Sequence, residues 1–195
     1  LITKPAPSFT ADCVRNSGFD TFSIADFKNK SWVVLFFYPL DFTFVCPTEI
    51  ISFNLALQKF SDINCKVAAC SVDSKYSHLA WCAKPQNKGG IGEIDYPIIS
   101  DITKSISRSY DVLDEQAGIA MRGLFIIDDK GVIRHSQIND LNVGRNVEEI
   151  LRLVKAFQYA DEHGEVCPAN WQPSSKTIVP TPKASLDFFA ETYSN

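Results

Sequence analysis

The sequence predicts a layered α/β domain, and three observations carry that prediction. Trp32–Tyr38 and Lys66–Val72 are continuous apolar runs of strand length, as central strands covered on both faces should be. Each is followed by a stretch with helical spacing of its apolar residues. Asp128-Asp129-Lys130-Gly131 is a turn signal between two further strand-like runs. The resulting order, β-α-β-α-β-β-α, is that of an α/β layered fold.

Residues 1–31 form a lead-in punctuated by Pro5, Pro7 and Gly18, with short alternating pieces such as Phe19–Ile24 pairing as a hairpin. After the strand Trp32–Tyr38, a helix starts near Cys46. Pro47 suits its first position, where a missing N–H costs nothing, and Glu49 falls two residues later as a helix-start acid. Ile50, Phe53, Leu57 and Phe60 mark one face; Ile51 and Leu55 broaden it and predict deep burial. After the strand Lys66–Val72 come a helix near Lys75–Ala83, a Gly89–Gly92 loop, a short strand Tyr96–Ser100 and a short helix Thr103–Tyr110. Gly123–Asp128 and Val132–Ile138 make the hairpin. Asn146 caps a last helix with the stripe Val147, Ile150, Leu151, Val154 and Phe157, stopped by His163-Gly164. Pro168, Pro173, Pro180 and Pro182 then crowd a segment that cannot be helical throughout. The domain is therefore read as 1–164 and an extended arm as 165–195, with a short helix over Ser185–Tyr193.

Composition narrows the function. At 45% hydrophobic and 22% charged, 195 residues suffice for a sizeable core. A net charge of −4 gives no electrostatic case for binding nucleic acid. No apolar run reaches the ~18 residues of a membrane span, and no signal peptide is visible; the chain opens on Leu1, so a preceding segment stays open. The six cysteines show neither C-x-x-C nor zinc-ligand spacing, and a chain of this size needs no disulfide staples. The expectation is a reduced, intracellular protein of cytoplasm or mitochondrion, with Cys65, Cys70 and Cys82 structural and Cys13 unassigned.

Cys46 is the residue around which chemistry is expected. A cysteine attacks as thiolate, and a free thiol titrates at about 8.5. Lowering such a value to about 6 takes roughly 3.4 kcal/mol, whereas a helix N-terminus supplies at most about 2 kcal/mol. A fixed cation is needed as well, and arginine suits that role. The larger thiolate fraction is worth only about thirtyfold, part of it returned through weaker basicity. Fast chemistry then requires donors that polarise the reacting partner, Thr43 among them. On the residues alone, Cys46 is equally a buried cysteine that begins a helix. Arg122 reads as a surface charge, Arg145 as loop surface, Glu49 as a helix-start charge and Cys167 as a thiol on a tail. Thr43 and Asp41, polar within an aromatic loop, tilt the balance toward function.

The run Pro39-Leu40-Asp41-Phe42-Thr43-Phe44-Val45-Cys46 resembles the P-x-x-x-T-x-x-C motif of peroxiredoxins, and its extension through Pro47-Thr48-Glu49 resembles the typical 2-Cys branch. Glu165-Val166-Cys167-Pro168-Ala169-Asn170-Trp171 is similar to the resolving-cysteine motif of that branch. The resemblance spans about Pro7 to Phe189. It implies a thioredoxin-like fold with a central mixed β-sheet flanked by helices. It implies a thiol-dependent peroxidase in which Cys46 is the peroxidatic nucleophile, Thr43 bonds thiolate and peroxide, and Pro39 shields the pocket. Arg122 matches the active-site arginine, Glu49 and Arg145 the pair that positions it. Cys167 is the resolving cysteine of a partner subunit. A hydroperoxide is the substrate, a thioredoxin-like protein the reductant, and the assembly a homodimer or ring of dimers. No metal or organic cofactor is implied. A redox-regulated chaperone or signalling hub is the competing reading, and missing C-x-x-C disfavours a disulfide reductase.

Gly89-Gly90-Ile91-Gly92 resembles the GGLG loop of members sensitive to over-oxidation. The Tyr-Phe pair that accompanies it is Phe188-Phe189 here, so the hydroxyl is lost and partial sensitivity is expected.

Overall fold

The structure, a computed structural model, describes residues 1–194. They divide into two compact units, residues 1–147 and residues 148–194.

The first unit is built on seven strands: β1 (Thr10–Arg15), β2 (Gly18–Ser23), β3 (Trp32–Phe37), β4 (Cys65–Ser71), β5 (Ile98–Ser100), β8 (Arg122–Ile127) and β9 (Ile133–Asn139), in the spatial order β2-β1-β5-β4-β3-β8-β9. A separate two-stranded piece pairs β6 (Leu113–Asp114) with β7 (Ile119–Ala120). The helices of this unit are α1 (Cys46–Leu55), α2 (Leu57–Ser61), α3 (Lys75–Cys82) and α4 (Ser105–Ser109). β3 runs parallel to β4 and antiparallel to β8, and β4 runs parallel to β5. This is the mixed, helix-flanked sheet of the thioredoxin-like expectation.

β3 is buried at every position because both faces of the sheet are covered. Val33, Leu35 and Phe37 join Ala68, Cys70, Ile99, Phe125 and Ile127 in one core cluster with Tyr110 and Val112. The alternate residue Phe36 stacks on Phe53 of α1, ring centroids 4.4 Å apart. Period-two alternation thus aims β3 at two cores and makes it the backbone of the fold.

The lead-in holds a complete hairpin. β1 pairs β2 through Asn16-Ser17, both at positive φ (49° and 57°), the geometry that matches strand twist. The β8–β9 hairpin closes as expected through Asp128–Gly131, where the Gly131 N–H donates to the Asp128 carbonyl at 2.9 Å. The helix after β3 departs from expectation. It breaks at Ala56 into α1 and α2, and Leu55 is 82% exposed, so the broad apolar face is narrower than its composition suggests. Pro47 is the second helical residue rather than the first, still within the turn whose N–H groups have no helical acceptor.

The second unit opens within α5 (Val147–His163), whose Ile150, Leu151 and Val154 are buried. The arm is locally ordered: Val166 and Ile178 exchange antiparallel backbone bonds, and α6 covers Ser185–Thr192. Among the described residues no helix is long and apolar enough to cross a membrane.

Candidate active site

β3 delivers the chain into a loop at Pro39, and the loop ends at Val45, the residue before α1. Pro39 is buried where strand becomes loop. Cys46 is the first residue of α1 and is fully buried. The helix has no side-chain cap, so Cys46 sits at a helix mouth with the positive end of the dipole behind it.

Two side chains reach its sulfur. The Thr43 hydroxyl lies 2.9 Å from Cys46 Sγ and 2.8 Å from the Leu40 carbonyl. It has one proton for two acceptors. With a thiol present, the S–H donates to Thr43 and Thr43 donates to Leu40. With a thiolate present, the hydroxyl turns its proton to the sulfur. From β8, Arg122 Nη1 donates to Cys46 Sγ at 3.4 Å.

Arg122 is held from several sides. Its Nη1 donates to Glu49 Oε2 at 2.8 Å and its Nε to the Leu141 carbonyl at 2.8 Å. Glu49 is in turn gripped by Arg145, whose Nε and Nη2 donate to its two oxygens at 2.7 and 2.8 Å. The Arg145 backbone N–H adds a third bond to Glu49, and its Nη1 donates to the Gly123 carbonyl at 2.5 Å. Glu49, Arg122 and Arg145 are all nearly excluded from water. Two buried guanidinium groups face one carboxylate, which leaves one net positive charge beside Sγ. In a water-poor site that surplus acts strongly on Sγ and on any anion developing beside it.

The side chains of Thr43, Cys46, Glu49, Arg122 and Arg145 therefore converge. Glu49 is engaged by two arginines, so it is more than a helix-start charge. Arg122 reaches Sγ because β8 pairs with β3, an adjacency with no local signature in the sequence. The Leu141 carbonyl is a part of the site that residue types could not reveal. Neither could a buried group behind the loop: Tyr38, Asp41 and His78, linked by short polar contacts.

Cys167 belongs to the second unit. It is partly buried, its Sγ is 3.5 Å from the Ala156 carbonyl, and burial raises its thiol's pKa against the opposing pull of Arg152. The Trp171 that follows is buried, and its carbonyl accepts from Arg152 at 2.9 Å. The segment is thus held on α5. All six cysteines are free thiols. Burial pushes Cys13 and Cys82 up to about 11 and Cys65 to about 12. Among the described residues no cluster of His, Cys, Asp and Glu is placed to hold a metal ion.

The Gly89–Gly92 loop is closely built: a Cβ on Gly90 would lie 1.9 Å from the Lys84 carbonyl oxygen, and Trp81 Nε1 donates to the Gly89 carbonyl at 2.9 Å.

Residues 2–136 match the family model described as the AhpC/TSA family, and residues 156–188 match the C-terminal domain of 1-Cys peroxiredoxin. The mitochondrial thioredoxin-dependent peroxide reductase of Mus musculus is 57% identical over 192 residues, 98% of this chain and 74% of that one. Peroxiredoxin 2 of Drosophila melanogaster is 53% identical over 191 residues, 98% of each chain. The crystal structure of reduced 2-Cys peroxiredoxin from Plasmodium vivax superposes with a TM-score of 0.94 at 44% identity, covering 97% of this chain and 98% of that one. With more than half its length in that family model and such relatives along almost all of it, the chain belongs to the AhpC/TSA family of peroxiredoxins.

Proposed function

We propose that the chain is a thiol-dependent peroxidase that reduces hydrogen peroxide and organic hydroperoxides, with Cys46 as the nucleophile. The observation that carries this is the buried sulfur at a helix mouth, 2.9 Å from a hydroxyl and 3.4 Å from a guanidinium. The Cys46 thiolate attacks one peroxide oxygen. An S–O bond forms as the O–O bond breaks, the sulfur is oxidised to sulfenic acid, and the departing oxygen leaves as water or alcohol after taking a proton. Thr43 and Arg122 hold the peroxide and stabilise the charge that develops on it. Glu49 and Arg145 fix Arg122, and Pro39 keeps water from the sulfur.

Cys167 of a second copy then attacks the sulfenic sulfur, releasing water and forming a Cys46–Cys167 disulfide between subunits of a homodimer. A thioredoxin-like dithiol reduces that bond. The arm 165–195 serves as the carrier of the resolving thiol, and a ring of dimers is the larger assembly. The first turn of α1 must open for this step, since a fully buried Cys46 is out of reach of another chain. The role is antioxidant defence, and the names of the mitochondrial relatives favour the mitochondrion as its compartment.

The test is non-reducing electrophoresis after one equivalent of peroxide. A dimer band should form and disappear in both Cys46→Ser and Cys167→Ser; an oxidised monomer would refute the intersubunit disulfide. With Phe188-Phe189 in the arm, excess peroxide during turnover should add two oxygens to part of the Cys46 pool. Unchanged activity and no such mass gain would remove that expectation.

A further inference from the structure

We propose that His78 is a positioning residue for peroxide reduction: acting through Asp41, it fixes the loop that presents the Thr43 hydroxyl to Cys46. The inference rests on Cys46 being the peroxide-reacting thiol.

The loop from Pro39 to Val45 needs an anchor. Phe42 within it has a φ of +58°, a left-handed conformation that bulky residues rarely adopt. The anchor is Asp41, whose side chain is 1% exposed. Tyr38 Oη donates to Asp41 Oδ1 at 2.7 Å, and His78 Nδ1 lies 2.8 Å from Asp41 Oδ2. The ring of His78 is fully buried, and its Nε2 lies 3.2 Å from the Ile99 carbonyl of β5. Both ring nitrogens thus face oxygen acceptors, and the ring ties the loop to β5 as well as to its own helix, α3.

The link to the sulfur runs through one peptide unit. The Asp41 backbone N–H donates to Asp73 Oδ2 at 2.8 Å. Asp73 is itself fixed by the Ser71 hydroxyl at 2.9 Å. On the opposite side of the same planar, trans peptide, the Leu40 carbonyl points at the Thr43 hydroxyl. That carbonyl competes with Cys46 Sγ for the single Thr43 proton. Whatever holds Asp41 therefore aims the carbonyl that tunes Thr43. Without His78, the buried Asp41 carboxylate would keep Tyr38 as a side-chain partner and face Asp73, a second carboxylate, nearby. Such a site relaxes by moving. Burial and the nearness of Asp41 already hold the Asp73 carboxyl above its ordinary range.

The experiment compares two reactions of the reduced full-length protein: stopped-flow oxidation of Cys46 by hydrogen peroxide, and its alkylation by iodoacetamide, which needs no aligned Thr43. Thr43→Val sets the scale. His78→Leu removes both ring nitrogens at similar volume. It should slow the peroxide reaction about 10- to 100-fold while alkylation changes less than about threefold. His78→Asn places an amide N–H where Nδ1 was and should recover most of the peroxide rate. A wild-type peroxide rate in a folded His78→Leu overturns the proposal, as does an equal loss of both reactions or a failure of His78→Asn to recover. If His78→Leu does not fold, Asp41→Asn carries the same comparison: selective loss supports the proposal and an unchanged peroxide rate overturns it. Mass spectrometry of the peroxide-treated wild type separates the two levels. If Cys46 gains no oxygen there, the peroxidase reading fails; if it does and the variants keep the wild-type rate, only the role of His78 fails.

Discussion

Cys46 and Cys70 are both fully buried cysteines of the same unit, yet their surroundings oppose each other. Cys70 lies inside β4, opposite Phe37 on one side and Ile99 on the other, within the apolar cluster. Burial pushes its thiol well above the ordinary range, and the carboxylate of Asp101 pushes further. Cys46 is equally dry but sits at a helix mouth, with a hydroxyl and a guanidinium against its sulfur. Exclusion of water alone makes a thiol inert; exclusion of water with donors fixed in place makes it a site. The same low dielectric penalises the unpaired sulfur and strengthens the paired one.

Exchanging the two sulfurs in turn gives the largest contrast. Cys46→Ser should reduce peroxide consumption to the uncatalysed background, since the serine hydroxyl is a poor nucleophile without a base beside it. Cys70→Ala should leave the peroxide rate within about twofold. It should instead cost stability, about 1–2 kcal/mol for a small void in a packed core. Stopped-flow fluorescence and a thermal melt on the pair would check this. A Cys70 variant that loses peroxidase activity while keeping its fold would end the distinction.

The next contrast removes the donor and keeps the sulfur. Arg122→Gln leaves Glu49 paired with Arg145, so the buried carboxylate is still neutralised. The charge facing Cys46 is lost. Removal of one fixed donor from such a site is worth about 10²–10³ in rate, and a fall of that size in the second-order peroxide rate constant is expected. A fall below about fivefold would show that the helix end and Thr43 suffice. The contrast drawn with Cys70 would then rest on those two alone.

What could be read from the sequence follows from the range of each interaction. The strand before the loop, the helix at Cys46, the Asp128–Gly131 turn and the last helix all leave periodic or turn signals within a few residues. Thr43 and Cys46, at i and i+3 across a helix start, could be seen together. Arg122 could not. On residue type it is a charge at a strand entrance, and only the family resemblance marked it; its place beside the sulfur depends on β8 pairing with β3. The break at Ala56 was hidden because Leu55 looks like core by composition yet is exposed. His78 shows no ligand spacing in the sequence, and its link to the loop follows only from the placement of α3. Local pattern specifies elements; strand order and helix docking specify sites.

The smallest expected effect concerns thiols that burial chiefly controls. In the unfolded chain a cysteine titrates at about 8.5. In the fold, Cys65 is pushed up to about 12 and Cys13 and Cys82 to about 11. Well below pH 8.5 all are protonated in both states and contribute no pH dependence. Above it, the unfolded chain releases protons that the folded chain retains. The unfolded state then binds fewer protons, so stability falls as pH rises, until the folded thiols themselves ionise. For Cys65, the most deeply desolvated of the three, the loss approaches about 1.4 kcal/mol per pH unit well above pH 8.5. Between pH 8.5 and 9.5, Cys65→Ala should therefore lose less stability than the wild type by somewhat under 1.4 kcal/mol, roughly 2–4 °C in Tm for a chain of this size. Thermal melts at the two pH values, under reducing conditions, measure that difference directly. Parallel Tm shifts in wild type and Cys65→Ala would mean that this thiol ionises in the fold as readily as in the unfolded chain. Burial without fixed donors would then not be what holds the Cys65 thiol protonated.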